Sequence, residues 1–371
     1  MSLPIKKSEY YKSYSYEVSY GYDKNNVVRL RPKAKKKKKN IVAVFFALLL
    51  LSLYCYFVCP YNFNNYLRPL FVNRFLNRNL NFDTKPLVSP TLNYIHNSQL
   101  FDKFIRVAPN TNTKEIAHVE IIKEMSSTKQ KLIDLFKKYP QLEPAVFVWE
   151  YSTGAGFEIN ADTPYPSASI IKIPIAYELI RLTQRSENTQ NPVKLSDLRR
   201  FDELFRTSGS GKLQYSQAGV DYSLNHLAHI MITQSDNSAT NMILYEIGGI
   251  QGFNRAMRNI GLKVTSMGEW LPDLNGYNKI TAREISEVLY NLDNPNYIDV
   301  KYKPVLKEYL GNVKNTHLIK EKLPPKTLVL HKTGDIGTML GDAGIVYGEN
   351  GKKYLVTILV KRPHNAYSAR T

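Results

Sequence analysis

Three short strings hold residue types that can act on one another: Ser169-Ile170-Ile171-Lys172, Ser235-Asp236-Asn237 and Lys332-Thr333-Gly334. A serine hydroxyl becomes a nucleophile when a neighbour takes its proton, and on a helix a lysine three positions on shares its face. Lysine is a poor base at its ordinary pKa, but burial and nearby positive charge would lower that pKa. Ile170, Ile171, Ile173 and Ile175 surround Lys172 with apolar side chains suited to such burial. Taken alone, the string also reads as an ordinary helix start with a snorkelling lysine. The same spacing recurs at Ser126-Ser127-Thr128-Lys129, inside an expected surface helix, and carries no such meaning there.

Ser235 could pass a proton to a leaving nitrogen, and Asn237 could hold an amide of a substrate. The plainer role of this string is helix capping, with Asp236 or Ser238 starting a helix over Ala239 to Ile247. Lys332 and Thr333, expected at the end of a strand, could grip a carboxylate. Gly334 would let a ligand approach the backbone. A strand-to-loop turn with an exposed lysine is the alternative. In this order the three strings supply a nucleophile, a base, a proton relay and an anion clamp. That set opens amides through an acyl-serine without a histidine.

The net charge of +18 belongs mostly to the N-terminal end. Residues 1–40 carry 12 Lys/Arg against 3 Asp/Glu, residues 41–113 carry 6 against 2, and residues 114–371 carry 32 against 27. A nucleic-acid-binding domain carries its charge on the fold, so that class is set aside. Residues 1–40 are Tyr-rich, Lys-rich and without apolar period, which predicts a disordered cytoplasmic tail. Ile41 to Cys59 are 19 residues without a charge, and Lys35 to Lys39 precede them. This pattern predicts an uncleaved single-pass membrane anchor, N-terminus inside and the remainder outside the cytoplasm. Both cysteines, Cys55 and Cys59, fall in that span, so no disulfide or thiol chemistry is expected beyond it. No cofactor is expected, and His226 and His229 lack the further ligands a metal site needs. Residues 60–112 read as a linker, with Leu67, Leu70, Phe71, Phe75 and Leu76 at the spacing of an interfacial helix.

The folded domain is expected over 113–371. Ile116, Val119, Ile122, Leu132, Leu135 and Phe136 predict an amphipathic helix ending near Tyr139-Pro140. Strands follow at Ala145 to Tyr151 and Phe157 to Asn160, then a helical block from Ser169 to Leu292, broken near Glu187 to Val193 and Thr265 to Tyr277. Three more strands close the chain: Thr327 to Lys332, Ala343 to Tyr347 and Lys353 to Val360. The class is α/β in the α+β sense, a five-stranded antiparallel sheet assembled from both termini plus an all-helical subdomain.

With its three motifs and their flanks, YPSASIIKIPIAYEL, YSLNHLAHIMITQSDNSATNMIL and HKTG, the chain resembles the penicillin-binding and class A β-lactamase-like serine hydrolases over about residues 113–362. The resemblance implies a β-lactamase-like fold, with Ser169 acylated, Lys172 its base and Ser235 the proton donor to the β-lactam or peptide nitrogen. It further implies that Asn237 binds the acylamide side chain, that Lys332 and Thr333 bind the carboxylate, and that the backbone N–H groups of Ser169 and Asp335 form an oxyanion hole. In the β-lactamases a glutamate preceding Pro-x-Leu-Asn activates the water that releases the acyl group. Here the string is Leu271-Pro272-Asp273-Leu274-Asn275, with Leu271 in the glutamate's place, Asn275 as the implied substrate contact, and Glu269 and Asp273 as neighbouring carboxylates. About nine residues follow the last strand, so the family's C-terminal helix looks truncated and the helix near Lys114 would cover the sheet instead. The expected substrate is a β-lactam, opened with slow release. The alternatives are D-alanyl-D-alanine peptidase action on peptidoglycan and a penicillin-binding sensor without turnover. An anchor and linker suit work on the cell wall.

Overall fold

The computed structural model describes residues 114–349 and 351–369. The expected tail, anchor and linker lie outside these residues. Among the described residues no helix is long and apolar enough to cross a membrane.

The chain runs β1 (Lys123–Glu124), α1 (Ser126–Lys137), β2 (Glu143–Glu150), β3 (Ala155–Ile159) and β4 (Tyr165–Pro166). A 3-10 turn, Ala168–Ile171, leads directly into α2 (Lys172–Ser186). Then come β5 (Leu198–Arg200), β6 (Asp221–Ser223), α3 (Leu224–Thr233), α4 (Asn237–Glu246) and α5 (Gly249–Asn259). The remainder is β7 (Lys279–Ile280), α6 (Ala282–Asp293), α7 (Lys303–Gly311), β8 (Leu328–Ile336), β9 (Met339–Tyr347) and β10 (Lys353–Lys361).

The sheet order is β1-β3-β2-β10-β9-β8, so the last strand pairs with the first long one, Val148 opposite Val356. The five long strands are antiparallel, as expected, and the two-residue β1 adds a sixth in parallel with β3. Alternation along β10 sends Leu355 and Leu359 into the core beside α6. There the hydroxyls of Ser286 and Thr357 meet at 2.7 Å and satisfy each other's buried polarity. The opposite face of the sheet, with Leu132, Leu135 and Phe136 of α1 and Val356, Ile358 and Val360 of β10, lines an apolar cavity of about 760 Å³.

Four expectations need correction. The N-terminal helix begins at Ser126, not near Lys114. Ile116 and Val119 are buried from an extended segment instead, their backbone held by Ile116 N–H to Ile260 O (3.0 Å) and Ala117 N–H to Asn291 Oδ1 (3.0 Å). Residues 187–223 are not helical but form 3-10 turns and the β5–β6 ribbon. α7 was not anticipated. Finally, Lys332-Thr333-Gly334 sits inside β8 and not at its end, because β8 runs on to Ile336 and turns through Gly337-Thr338 into β9.

That extension positions the first motif. Ile170, Ile171 and Ile173 are fully buried, and each contributes roughly 1.5–3 kcal/mol of apolar burial that pins the turn to the core. The turn lies flat on β8, where a Cβ at Gly334 would stand 2.9 Å from Ile170 Cγ1 and 3.1 Å from Ala168 Cβ. Gly334 therefore admits the Ser169 turn to the strand, a closer reason than ligand approach. Replacing Gly334 with alanine should destabilise the domain by about 1–3 kcal/mol, the usual cost of overpacking. Urea unfolding of the Gly334→Ala variant measures this, and an unchanged midpoint would show that the turn moves aside freely.

Candidate active site

Ser169 lies within the 3-10 turn and Lys172 opens α2, so the three-residue spacing is realised on a continuous helical path. Two residues on this path and its neighbour hold left-handed backbone angles without being glycine: Ala168 (φ 43°) and Ser235 (φ 58°). Each costs about 1–2 kcal/mol and persists only where the surroundings enforce it. At Ser235 the enforcement is visible: its carbonyl accepts a 2.6 Å hydrogen bond from Lys172 Nζ.

The Lys172 amine is completely buried and reaches three more oxygens: Ser169 Oγ at 3.1 Å, Ser235 Oγ at 3.0 Å and Asn237 Oδ1 at 2.9 Å. Ser235 Oγ in turn donates to Ser169 Oγ at 2.8 Å. Burial holds the Lys172 pKa well below its ordinary value, the Lys332 cation pushes it the same way, and Asp236 opposes them. An ammonium ion has three hydrogens for these four oxygens. A neutral amine offers a lone pair, which the Ser169 hydroxyl can reach with its proton. The arrangement can therefore generate a serine alkoxide and pass a proton through Ser235.

Ser235, Asp236 and Asn237 are rigid because Asp236 is used twice. Its Oδ1 caps α4 through Ala239 N–H (2.9 Å) and its Oδ2 accepts Leu213 N–H (2.8 Å). Asn237 N–H donates to Ser210 O at 3.0 Å and its Nδ2 to Ser208 O at 3.2 Å. Ser238, the other candidate cap, accepts Thr207 N–H at 3.0 Å. Gly211 (φ 96°) permits the approach, since a Cβ there would overlap the Asp236 carboxylate.

Lys332 is buried, not exposed, and donates to Thr333 O at 2.8 Å. Burial pushes its pKa down to about 8, against the pull of Asp342, which His331 Nδ1 meets at 2.9 Å. Thr333 is buried beside it, and Asp335, two residues on, keeps a third of its side chain exposed (33%). The first and second strings are thus joined by direct hydrogen bonds, and the third acts on them through the charge of Lys332. Asn275 is exposed and takes no part in the hydrogen-bonded cluster.

Leu271 is buried, and its backbone is clamped on both sides by Asn241: Leu271 N–H donates to Oδ1 (3.1 Å) and Nδ2 donates to Leu271 O (2.9 Å). Asn241 was missed in the sequence, although it lies one helical turn beyond Asn237 on α4. Asp273 is turned inward as a brace, accepting Tyr277 N–H (2.9 Å) and Asn278 N–H (2.7 Å) with separate oxygens. Glu269 is buried as well.

Residues 127–371 match the model of the "Beta-lactamase enzyme family". The chain is 28% identical over 214 residues to Beta-lactamase ROB-1 of Haemophilus influenzae, covering 56% of this chain and 67% of that protein. It is 26% identical over 249 residues to Beta-lactamase BRO-1 of Moraxella catarrhalis, covering 62% and 77%. Among solved structures it is similar to PBP-A, in a leucine-to-glutamate variant described as an acyl-enzyme complex with penicillin G. That match has a TM-score of 0.63, 28% identity, and coverage of 66% of this chain and 91% of that one. With two thirds of its length matched by the family model and its serine and lysine motifs gathered at one place in the same fold, this chain belongs to the beta-lactamase enzyme family as a class A β-lactamase-like serine hydrolase.

Proposed function

We propose that Ser169 is the nucleophile that a β-lactam acylates, with Lys172 as its base and Ser235 as the proton donor to the departing nitrogen. The observation that carries this reading is the buried, hydrogen-bonded set of Lys172 Nζ, Ser169 Oγ and Ser235 Oγ. Lys332 and Thr333 hold the substrate carboxylate, Asn237 its acylamide group, and the N–H groups of Ser169 and Asp335 the developing oxyanion, where each donor is worth about 3–4 kcal/mol. Asn275 contributes only at the rim, in keeping with its exposure.

Release is the slow step in this reading. A positioned carboxylate would activate the hydrolytic water, and Leu271, fixed by Asn241, puts an aliphatic side chain in its place. Asp273 is occupied in bracing the loop. A long-lived acyl-enzyme also suits a peptidase acting on D-alanyl-D-alanine stems, whose leaving group departs at acylation, and Leu271 is what favours this second reading. The uncharged span 41–59 behind Lys35 to Lys39 supports anchorage in the cell membrane, with this domain outside the cytoplasm.

Intact-mass analysis of the full chain with benzylpenicillin should show one adduct that forms readily and decays slowly. Ser169→Ala should abolish it; an adduct that survives this change would sink the assignment. Leu271→Glu should speed decay by on the order of 100-fold, the lower end of what a placed general base contributes. Unchanged decay would mean that the carboxylate is not what release lacks.

The rate of acylation should follow a bell against pH. The acidic limb reflects Lys172, whose neutral form is the base and which loses its proton well below the usual lysine range. The alkaline limb reflects Lys332, needed as a cation and deprotonating near pH 8. Stopped-flow acylation across pH 5 to 10 tests this, and a rate still rising above pH 9 would remove Lys332 from carboxylate binding.

A further inference from the structure

Asp335 presents an acidic side chain where, on the proposed reading, two negative charges gather: the substrate carboxylate and the oxyanion. Alternation along β8 puts it on the same face as Thr333, two residues back. A carboxylate there should repel an anionic substrate. Arg362, just past the end of β10, sets an opposite charge against it, its Nη2 donating to Asp335 Oδ1. The Arg362 side chain is almost fully buried (2% exposed).

The other side-chain bonds of Arg362 lead to backbone carbonyls of the β8–β9 turn and of the segment after β10. Its Nη2 also donates to Ile336 O (3.3 Å), its Nε to Gly337 O (3.3 Å) and its Nη1 to Ala366 O (3.4 Å). Its main-chain N–H donates to Thr338 O at 2.9 Å, and Asn365 N–H to Gly337 O at 2.8 Å. The Arg362 guanidinium thus sets a positive charge against Asp335 and ties the β8–β9 turn to the segment following β10. A planar, permanently charged fork can do both; a lysine could supply only the charge.

We propose that Arg362 is a positioning residue for acylation, screening the Asp335 carboxylate so that the β8 edge accepts an anionic substrate. The inference rests on the acylation reading given above and concerns how that site selects for charge. Asp335 and Arg362 together set the balance: removing the arginine leaves the edge acidic, and removing the carboxylate leaves it basic.

The test compares acylation of the full chain by benzylpenicillin, an anion, and by its uncharged methyl ester. The readout is the ratio of the two second-order rate constants in Arg362→Gln, Asp335→Asn, the double variant and the unaltered chain. The anion-to-ester ratio should fall about tenfold in Arg362→Gln, as expected when one charge near a charged ligand loses its screen. It should rise several-fold in Asp335→Asn and return near the starting value in the double variant. The change should lie mainly in the apparent affinity for the anion, and added salt should compress it.

Equal slowing of both substrates in Arg362→Gln, without recovery in the double variant, would reduce Arg362 to a structural prop and overturn the proposal. Should Arg362→Gln fail to fold, Asp335→Asn decides alone: an unchanged ratio rejects the proposal and a raised one supports it. If the unaltered chain takes up neither compound, it is the acylation reading that fails, which the variants cannot mimic.

Discussion

An amine buried without a directly bonded carboxylate is expensive to keep charged, and most of this site is organised around that cost. Lys172 Nζ is surrounded by two hydroxyls, a carbonyl and an amide oxygen, groups that accept hydrogen bonds without delivering a full negative charge. Asp236, the acid that pulls the other way, is engaged with backbone N–H groups on both of its oxygens. Lys332 adds its repulsion from the strand opposite. Burial and the Lys332 charge outweigh the pull of Asp236 and favour the neutral amine, and a neutral amine beside Ser169 is a base.

Strand β8 is the second organising element. It carries Lys332 and Thr333, accepts the Ala168–Ile171 turn against Gly334, and continues to Asp335 before folding back. The strained angles at Ala168 and Ser235 stand on either side of Ser169, and both are held by tertiary contacts, Ala168 against Gly334 and Ser235 through Lys172. The apolar core pins the turn, the turn fixes Ser169, and the amine ties Ser235 to it. The positions of Ser169, Lys172 and Ser235 are therefore consequences of packing as much as of hydrogen bonding.

Much of this was legible in the sequence, and the reason is locality. Ser169 and Lys172 are three residues apart on one helical path, so their meeting needs no knowledge of the fold. The five long strands could be read from apolar stretches set off by glycine turns, and Asp236 from its place before a helix. What stayed hidden depended on contacts between distant segments. Ile116 and Val119 have helical spacing, yet the N–H groups of Ile116 and its neighbour Ala117 go to Ile260 and Asn291, which no local pattern reveals. Asn241 looked like any polar residue on a helix until Leu271 was found between its amide atoms. Asp273 read as a spare carboxylate because its partners, the N–H groups of Tyr277 and Asn278, depend on how the loop closes. Lys332 was expected at a strand end because the length of β8 is set by its pairing with β9, not by its own residues.

The pairing of β2 with β10 bears on how the site comes into being. Residues 143–150 can find residues 353–361 only after the roughly two hundred residues between them have emerged. Closing so long a loop costs conformational entropy before the pairing rewards it, which makes for slow, late assembly. β8 and β9 join the sheet only through β10, so Lys332 and the floor beneath Ser169 arrive in that same late step. A nascent or partly folded chain thus carries the serine and its lysine in a single helix without the strand that completes their surroundings. Reactivity toward an acylating substrate then becomes a property of the finished topology, and an abortive chain is chemically silent as well as unstable.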